Sequence, residues 1–427
     1  MRKTILLLTA LLTLSASAAF AQAWRSETAV RALQEEHSRA GNNLNSYEFY
    51  PIYDTPAPKG YKPVYISHYG RHGSRYMEDN GHYTFAIWAL DTAAQLGILK
   101  PKGAEVLGIL QKGYADAFNR DGDLTALGGR QHQEIARRMY DRFPSLLSQP
   151  LKADARSSTA GRCMISMFYF CQELQGLNPS MSIRMNASNR DMRFVVGNRR
   201  VRPEETPAMA GLEKQAEKLF SKAVDVSRLM KTLFTDVSRA RSFIDVDSFL
   251  ECLYNVSSDL QNLPELNLSL TDLFTKEELF GAWKACNAAI LLECGLIPGS
   301  TPAYLQQMEV RDSIVSIADR VIRTGEPALT LRFSHDGSVL PLAYLMGLKE
   351  AMGGTTDLEN LHKHISIDKL IPMAANIQLV FYRKAGSDDV LVKFLLNENE
   401  TSVPVETDCA PYYHWQDVKR YWNHQDM

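Results

Sequence analysis

Apolar positions along the chain follow two periods. Short runs rich in β-branched and aromatic residues predict strands at 62–67, 151–155, 181–185, 328–333, 375–382 and 390–396. Three- and four-residue spacings predict helices between them. Tyr83, Ile87, Leu90 and Ala94 form one stripe, closed by Gly97. A second helix is expected over 103–118, and a third carries Ile135, Met139 and Phe143. Met164, Met167, Phe168, Cys171 and Leu174 mark a fourth, for which Ser158 or Thr159 is the expected cap. Strand signals fade from about 204 to 300, where helical runs appear at 209–220, 227–235, 246–256 and 276–294. Tyr254, Phe280 and Trp283 read there as core residues. Further helices are expected at 304–322, at 339–348 with Pro341 near its first turn, and around Trp415, Val418 and Trp422. The pattern predicts an α/β fold: a mixed, mostly parallel sheet flanked by helices. The turn Gly386-Ser387-Asp388-Asp389 makes the last long strands a hairpin, hence the mixed sheet. Residues 24–195 and 301–427 are assigned to the α/β core, and 196–300 to an inserted, mainly helical domain. Residues 28–37 suit one or two helical turns ahead of an irregular, proline-bearing approach.

The first 21 residues are set apart. Arg2 and Lys3 precede an apolar run, and Ala19-Phe20-Ala21 offers a small-x-small cleavage site. This is the pattern of a secretory signal peptide, and its apolar run is short for a membrane span. The expectation is a periplasmic or secreted protein without stable membrane insertion. Removing Arg2 and Lys3 takes 47 basic residues to 45 against 49 acidic, a mature charge of about −4. Nucleic acid is not an expected partner, since that would need a basic balance. Six cysteines are too few to act as the scaffold of 427 residues. Cys163 and Cys171 are eight apart in a helical pattern, as are Cys286 and Cys294. Eight helical residues span about 12 Å, beyond the roughly 7 Å a disulfide allows. No Cys/His spacing suggests zinc, and no metal or cofactor is expected.

Candidate chemistry gathers where strands end. The first strand runs into Ser67-His68-Tyr69-Gly70-Arg71-His72-Gly73-Ser74-Arg75. Two guanidiniums flanking an imidazole suit a phosphate, because each planar fork matches a pair of phosphate oxygens. The second strand exits through Arg156 toward a helix N-terminus, which favours an anion through charge and free amides. The strand at 328–333 exits through His335 and Asp336. Beyond the third strand, Arg190, Arg193, Arg199, Arg200 and Arg202 fall within 13 residues of a chain with no basic excess. That cluster is either a solvated loop or a rim for extra substrate phosphates.

With three polar strand exits of this kind, the chain resembles the histidine acid phosphatase family, the clade-two branch of the histidine phosphatase superfamily. Within it, the likeness is to phytases and multiple inositol-polyphosphate phosphatases. It rests on the Arg71-His72-Gly73-Ser74-Arg75 signature, the exit at Arg156, the His335-Asp336 exit and the element Leu124-Thr125-Ala126-Leu127-Gly128. The resemblance implies that His72 is the nucleophile and forms a phosphohistidine. Arg71, Arg75 and Arg156 would hold the phosphoryl oxygens, His335 would add a donor, and Asp336 would protonate the leaving alkoxide. Gly73 would let the backbone pass close to the phosphate. An acid at Asp336 implies an acidic optimum unless burial raises its pKa. The inositol-polyphosphate branch often carries His-Ala-Glu where this chain has His335-Asp336-Gly337, the form of the bacterial phytases and acid phosphatases. The expected function is stepwise hydrolysis of myo-inositol hexakisphosphate, a small phosphorylated partner. A broad-specificity acid phosphatase, a non-catalytic binder of phosphorylated ligands and a phosphotransferase are the alternatives.

Overall fold

A computed structural model describes residues 37–326 and 328–425. The leader at 1–21 and nearly all of the helical start expected over 28–37 lie outside them. Eight strands form one sheet: β1 Tyr61–Arg71, β2 Lys152–Ser157, β3 Ser182–Ala187, β4 Leu329–Ser334, β5 Asn376–Lys384, β6 Val390–Leu396, β7 Asn399–Thr401 and β8 Tyr412–His414. Their order is β3-β2-β4-β1-β5-β6-β7, with β8 also paired to β6. β3, β2, β4 and β1 run parallel, while β5, β6, β7 and β8 join by antiparallel ladders. β1 is therefore the hinge between a parallel half and an antiparallel half. Its register against β5 shifts between Pro63 and Tyr65, where proline has no N–H to give the ladder.

The helices of ten residues or more among the described residues are α1 Gly81–Gln95, α2 Pro101–Ala117, α3 Ala126–Arg142, α4 Gly161–Leu177, α5 Met209–Ala223, α6 Val246–Asp259, α7 Lys276–Glu293, α8 Met308–Thr324, α9 Asp336–Leu345 and α10 Trp415–Gln425. None is long and apolar enough to cross a membrane. Because side chains alternate across a strand, β1 feeds two cores. Tyr65 and Tyr69 join Ile314, Val339, Trp415 and Trp422, from α8, α9 and α10. Ile66 joins Ile135 and Met139 of α3 and Phe170 and Leu174 of α4. Covered on both faces, every β1 residue from Tyr65 onward is buried, the polar Ser67, His68 and Arg71 included.

A third core is wholly helical. It holds Phe249, Leu253 and Tyr254 of α6 with Leu279 and Trp283 of α7, and Phe280 packs against it. Tyr83 and Leu90 of α1 and Val106 and Leu110 of α2 belong to the same cluster. Packing thus draws into the helical lobe two helices that periodicity left with the sheet. The helix expected over 304–322 divides into a 3-10 turn, Ala303–Gln307, and α8. α9 begins at Asp336, earlier than the apolar pattern suggests, which places Pro341 inside the helix. All six cysteines are free.

Candidate active site

The carboxyl end of β1 is clamped on both sides. The Arg71 N–H donates to Ala375 O at 2.7 Å, the His72 N–H to Ser334 O at 2.9 Å, and the Ala374 N–H to His72 O at 2.8 Å. Parallel β4 and antiparallel β5 thus hold residues 71 and 72 by main-chain bonds, and no side chain is spent on the task. The His72 ring is buried, with Nδ1 2.9 Å from Gly73 O. A carbonyl only accepts, so Nδ1 carries the proton and Nε2 keeps its lone pair. Burial pushes the His72 pKa well below its ordinary value, and Arg71, Arg75 and Arg162 push it further. The ring is therefore neutral in mild acid, with the Nε2 lone pair available.

Arg71 is fully buried. Its Nη1 donates to Asn43 O and, at 2.7 Å, to Ile371 O. Nε and Nη2 have no hydrogen-bond acceptor, although Nη2 lies 2.9 Å from Asp336 Oδ2. Nε is thus left without a partner, while Nη2 is held by the Asp336 carboxylate, which an incoming anion would have to compete with. Arg75 Nη1 donates to Tyr76 O at 2.9 Å, and its Nε is also without an acceptor.

The signature loop is seated on α3. Thr125 caps α3, accepting from the Gly128 N–H, and its own N–H and hydroxyl both reach Ser74 O. A Cβ on Gly73 would lie 2.4 Å from Gly128 O, and one on Gly128 would lie 2.2 Å from Ser74 O. Gly73 is therefore required by the helix behind the loop, a different reason from close approach to the phosphate. Behind it, Ser74 Oγ donates to Asn262 Oδ1, and Gln131 spans Ser74 and Ser46.

At the β2 exit the structure separates two arginines. Arg156 is taken up by carboxylates, 3.2 Å from Asp154 and 3.5 Å from Asp191. Arg162, in the first turn of α4, is the one whose charge bears on His72 and on His335. Arg156 is thus committed to Asp154 and Asp191, and Arg162, which shares Glu78 with Arg75, joins the candidates for the anion in its stead. The reason is the side-chain alternation of β2. Ala153 and Ala155 face the α3–α4 core, so Arg156 points to the opposite face, where Asp154 already lies. A residue in the first turn of a helix that follows a strand exit was the signal available in the sequence.

His335 and Asp336 join β4 to α9. His335 Nε2 lies 3.1 Å from Ser158 Oγ and 3.7 Å from the Cys163 thiol, and its ring centroid is 5.6 Å from that of His72. Ser158 therefore orients His335, and Ala160 is the N-cap of α4. Burial lowers the His335 pKa to about 4, so this ring too is neutral. Burial raises the Cys163 thiol to about 12, which keeps it protonated and unreactive. Asp336 accepts from Asn43 Nδ2 at 2.8 Å and from the Gly337 N–H at 2.8 Å. Burial pushes its carboxyl upward, yet Arg71, His72, Asn43 and Gly337 outweigh burial and hold it well below the usual carboxylate range. Without ligand, Asp336 is a carboxylate. Asn43 holds both Arg71, 28 residues on, and Asp336, 293 residues on, a link without any sequence signal.

The rim arginines are exposed and lie on one docked segment. Arg190 and Arg193 belong to the 3-10 turn Asn189–Phe194, and Arg193 stacks on Phe194 and faces Glu309 at 3.5 Å. Arg202 donates to Arg199 O, and the Arg200 N–H to Asn198 Oδ1. Val196 O accepts from Ser338 Oγ at 2.9 Å, which ties the segment to the first turn of α9 beside Asp336.

One group of potential metal donors occurs among the described residues: Asp408, Cys409 and His414. His414 bonds Asp389, which bonds Tyr61 at the start of β1. Eleven strand residues, about 35 Å, separate that end of β1 from His72.

No family model matches the chain. Among curated proteins it is similar to the multiple inositol polyphosphate phosphatase 1 of Gallus gallus, 22% identical over 336 residues and 70% of each chain. Among solved structures it is similar to the Bifidobacterium longum multiple inositol polyphosphate phosphatase in complex with inositol hexasulfate. That match has a TM-score of 0.71 at 20% identity and covers 90% of this chain and 97% of the other. The D. castellii phytase matches with a TM-score of 0.65 at 14% identity, covering 92% and 86%. Sheet order and inserted helices agree with these structures: the chain has the histidine acid phosphatase fold.

Proposed function

We propose that this protein is a phosphomonoesterase working through a phosphohistidine on His72, and that inositol polyphosphates are its substrates. The observation that carries this reading is the tautomer of His72. With Nδ1–H committed to Gly73 O, Nε2 has a lone pair to attack phosphorus. Arg71, Arg75, Arg162 and His335 surround the position a phosphoryl group would take, and their fixed charges and dipoles stabilise its oxygens as charge shifts. As the Nε2–P bond forms, the P–O bond to the alcohol breaks, and Asp336 gives its proton to the departing oxygen. Water then attacks the phosphohistidine, Asp336 takes a proton from it, and orthophosphate leaves with His72 restored.

Asp336 must acquire a proton that it lacks in the ligand-free site. A phosphate drawn to Arg71 competes for the cation that holds Asp336 ionised and adds its own negative charge nearby. Both effects raise the proton affinity of the carboxyl. Turnover on alkyl esters is therefore expected to favour acid, while His72 stays neutral throughout.

The inositol polyphosphate reading rests on the arginine-bearing segment at 190–202, docked beside Asp336, and on the relatives that carry that name. A related fold that holds inositol hexasulfate is consistent with a ring bearing several anionic groups. From the leader-like pattern at 1–21 we also propose a periplasmic or secreted mature protein; N-terminal sequencing of the exported chain tests this. The decisive experiment is a product time course on myo-inositol hexakisphosphate and on an aryl phosphate, with His72→Ala as control and ³²P trapping on the wild type. A strong preference for the aryl ester removes the inositol assignment, label without phosphate release to water makes the protein a phosphotransferase, and absence of label leaves a binding protein.

A further inference from the structure

Glu78 is a carboxylate within the phosphate-binding arginines. Its Oε1 lies 2.5 Å from Arg162 Nη2 and 3.8 Å from Arg75 Nε. Its side chain is 55% exposed, against 19% for Arg162 and 8% for Arg75. Each arginine also keeps a buried Nε with no hydrogen-bond acceptor, so neither guanidinium is saturated.

The strap carrying Glu78 is fixed by its backbone. The Tyr76 N–H donates to Asp123 O, and Met77 O accepts from the Gly122 N–H at 2.7 Å. Gly122 has φ +68°, and a Cβ there would lie 3.0 Å from Arg162 Nη1. The glycine thus leaves room for the arginine under the carboxylate. Main chain and arginines are held in place, while the carboxylate reaches in from solvent on a rotatable stem.

We propose that Glu78 is a resident competitor for the phosphate site: its carboxylate occupies the anion position between Arg75 and Arg162 until the phosphate of a substrate displaces it. This rests on the phosphatase reading above and adds a determinant of affinity to it. The negative charge of Glu78 also reaches Arg71 and His335, as expected for a group at the mouth of the cluster. A substrate bearing several phosphates displaces the carboxylate more readily than a simple ester does. After turnover the carboxylate returns and helps expel orthophosphate.

The test is calorimetric titration of orthophosphate into the full chain, comparing wild type with Glu78→Gln and Glu78→Asp. An exposed ion pair is a weak rival, so Glu78→Gln is expected to tighten orthophosphate about three- to tenfold. Glu78→Asp should stay near wild type. In steady state, KM for a phosphate ester should fall in Glu78→Gln by a similar factor, with kcat moving less than KM. Equal or weaker orthophosphate binding by Glu78→Gln overturns the proposal and makes Glu78 a residue that positions the arginines. A wild type that binds orthophosphate but hydrolyses no ester refutes the phosphatase reading, and the calorimetric comparison still decides the role of Glu78. No binding by any of the three proteins refutes both.

Discussion

His68 and His132 sit beneath the site in an aromatic cage. The His68 ring packs 4.9 Å from Phe170 and 5.5 Å from Phe333, and His132 lies 5.5 Å from Phe333. Both residues are 1% exposed; the His68 ring nitrogens have no hydrogen-bond partner, and at His132 the Arg71 main chain only partly offsets burial. Burial lowers both pKa values to about 3, and for His68 the neighbouring His132 adds to it. The folded chain therefore keeps both rings neutral where the unfolded chain protonates them. Full stability is present above about pH 6.5 and drains as pH falls toward about 3. Inside that window each histidine costs about 1.4 kcal/mol per pH unit, or about 2.7 for the pair. Asp259 works the other way. Burial raises its carboxyl to about 7, so the folded chain binds its proton first and regains about 1.4 kcal/mol per unit between about pH 7 and 4. The three groups together lose about 3 to 4 kcal/mol between pH 6.5 and 4, a large share of a typical total of roughly 5–15 kcal/mol. Urea unfolding followed by tryptophan fluorescence at several pH values between 4 and 7 measures this. His68→Leu should make the stability–pH slope shallower by about 1.4 kcal/mol per unit. Because the readout is a slope, any constant repacking cost drops out. Parallel slopes for wild type and variant would refute the reasoning and show that His68 is protonated in the folded chain or equally neutral in the unfolded one.

Three further outcomes follow from the site. Arg162→Ala should lower kcat/KM on any phosphate ester by about 10²-fold or more, as for removal of a charge-stabilising donor, whereas Arg156→Ala should change it less than about threefold; the reverse ranking would restore Arg156 to the site. Asp336→Asn should cost about 10²–10⁴-fold on inositol or alkyl phosphates and far less on an aryl phosphate whose leaving group needs no proton, and equal losses on both would remove Asp336 as the acid. Gly73→Ala should destabilise the fold by about 1–3 kcal/mol or more, from overpacking against Gly128, with a lower urea midpoint; an unchanged midpoint would mean the loop can move off α3.

The strand exits of the candidate site were legible because their chemistry is local. Arg71, His72 and Arg75 lie in one short string, and His335 and Asp336 in another, each closing an apolar run. Arg156 was misplaced because a strand exit alone does not say on which face a side chain leaves. That depends on β2 pairing between β3 and β4, which sends Arg156 toward Asp154. Asn43 and Ser158 were invisible because each acts on a partner more than 170 residues away. The helical lobe shows the same limit: periodicity located α1 and α2, but only packing against α6 and α7 decides which core they fill.

By itself, the sequence determined the elements and the chemistry. Hydrophobic period sets strand against helix, and residue type decides that an imidazole among guanidiniums meets an anion. The tertiary structure alone decided which arginine is tied up by carboxylates, which proton His72 keeps and which charge holds Asp336. Those properties come from burial and from contacts across hundreds of residues, and a local pattern carries neither.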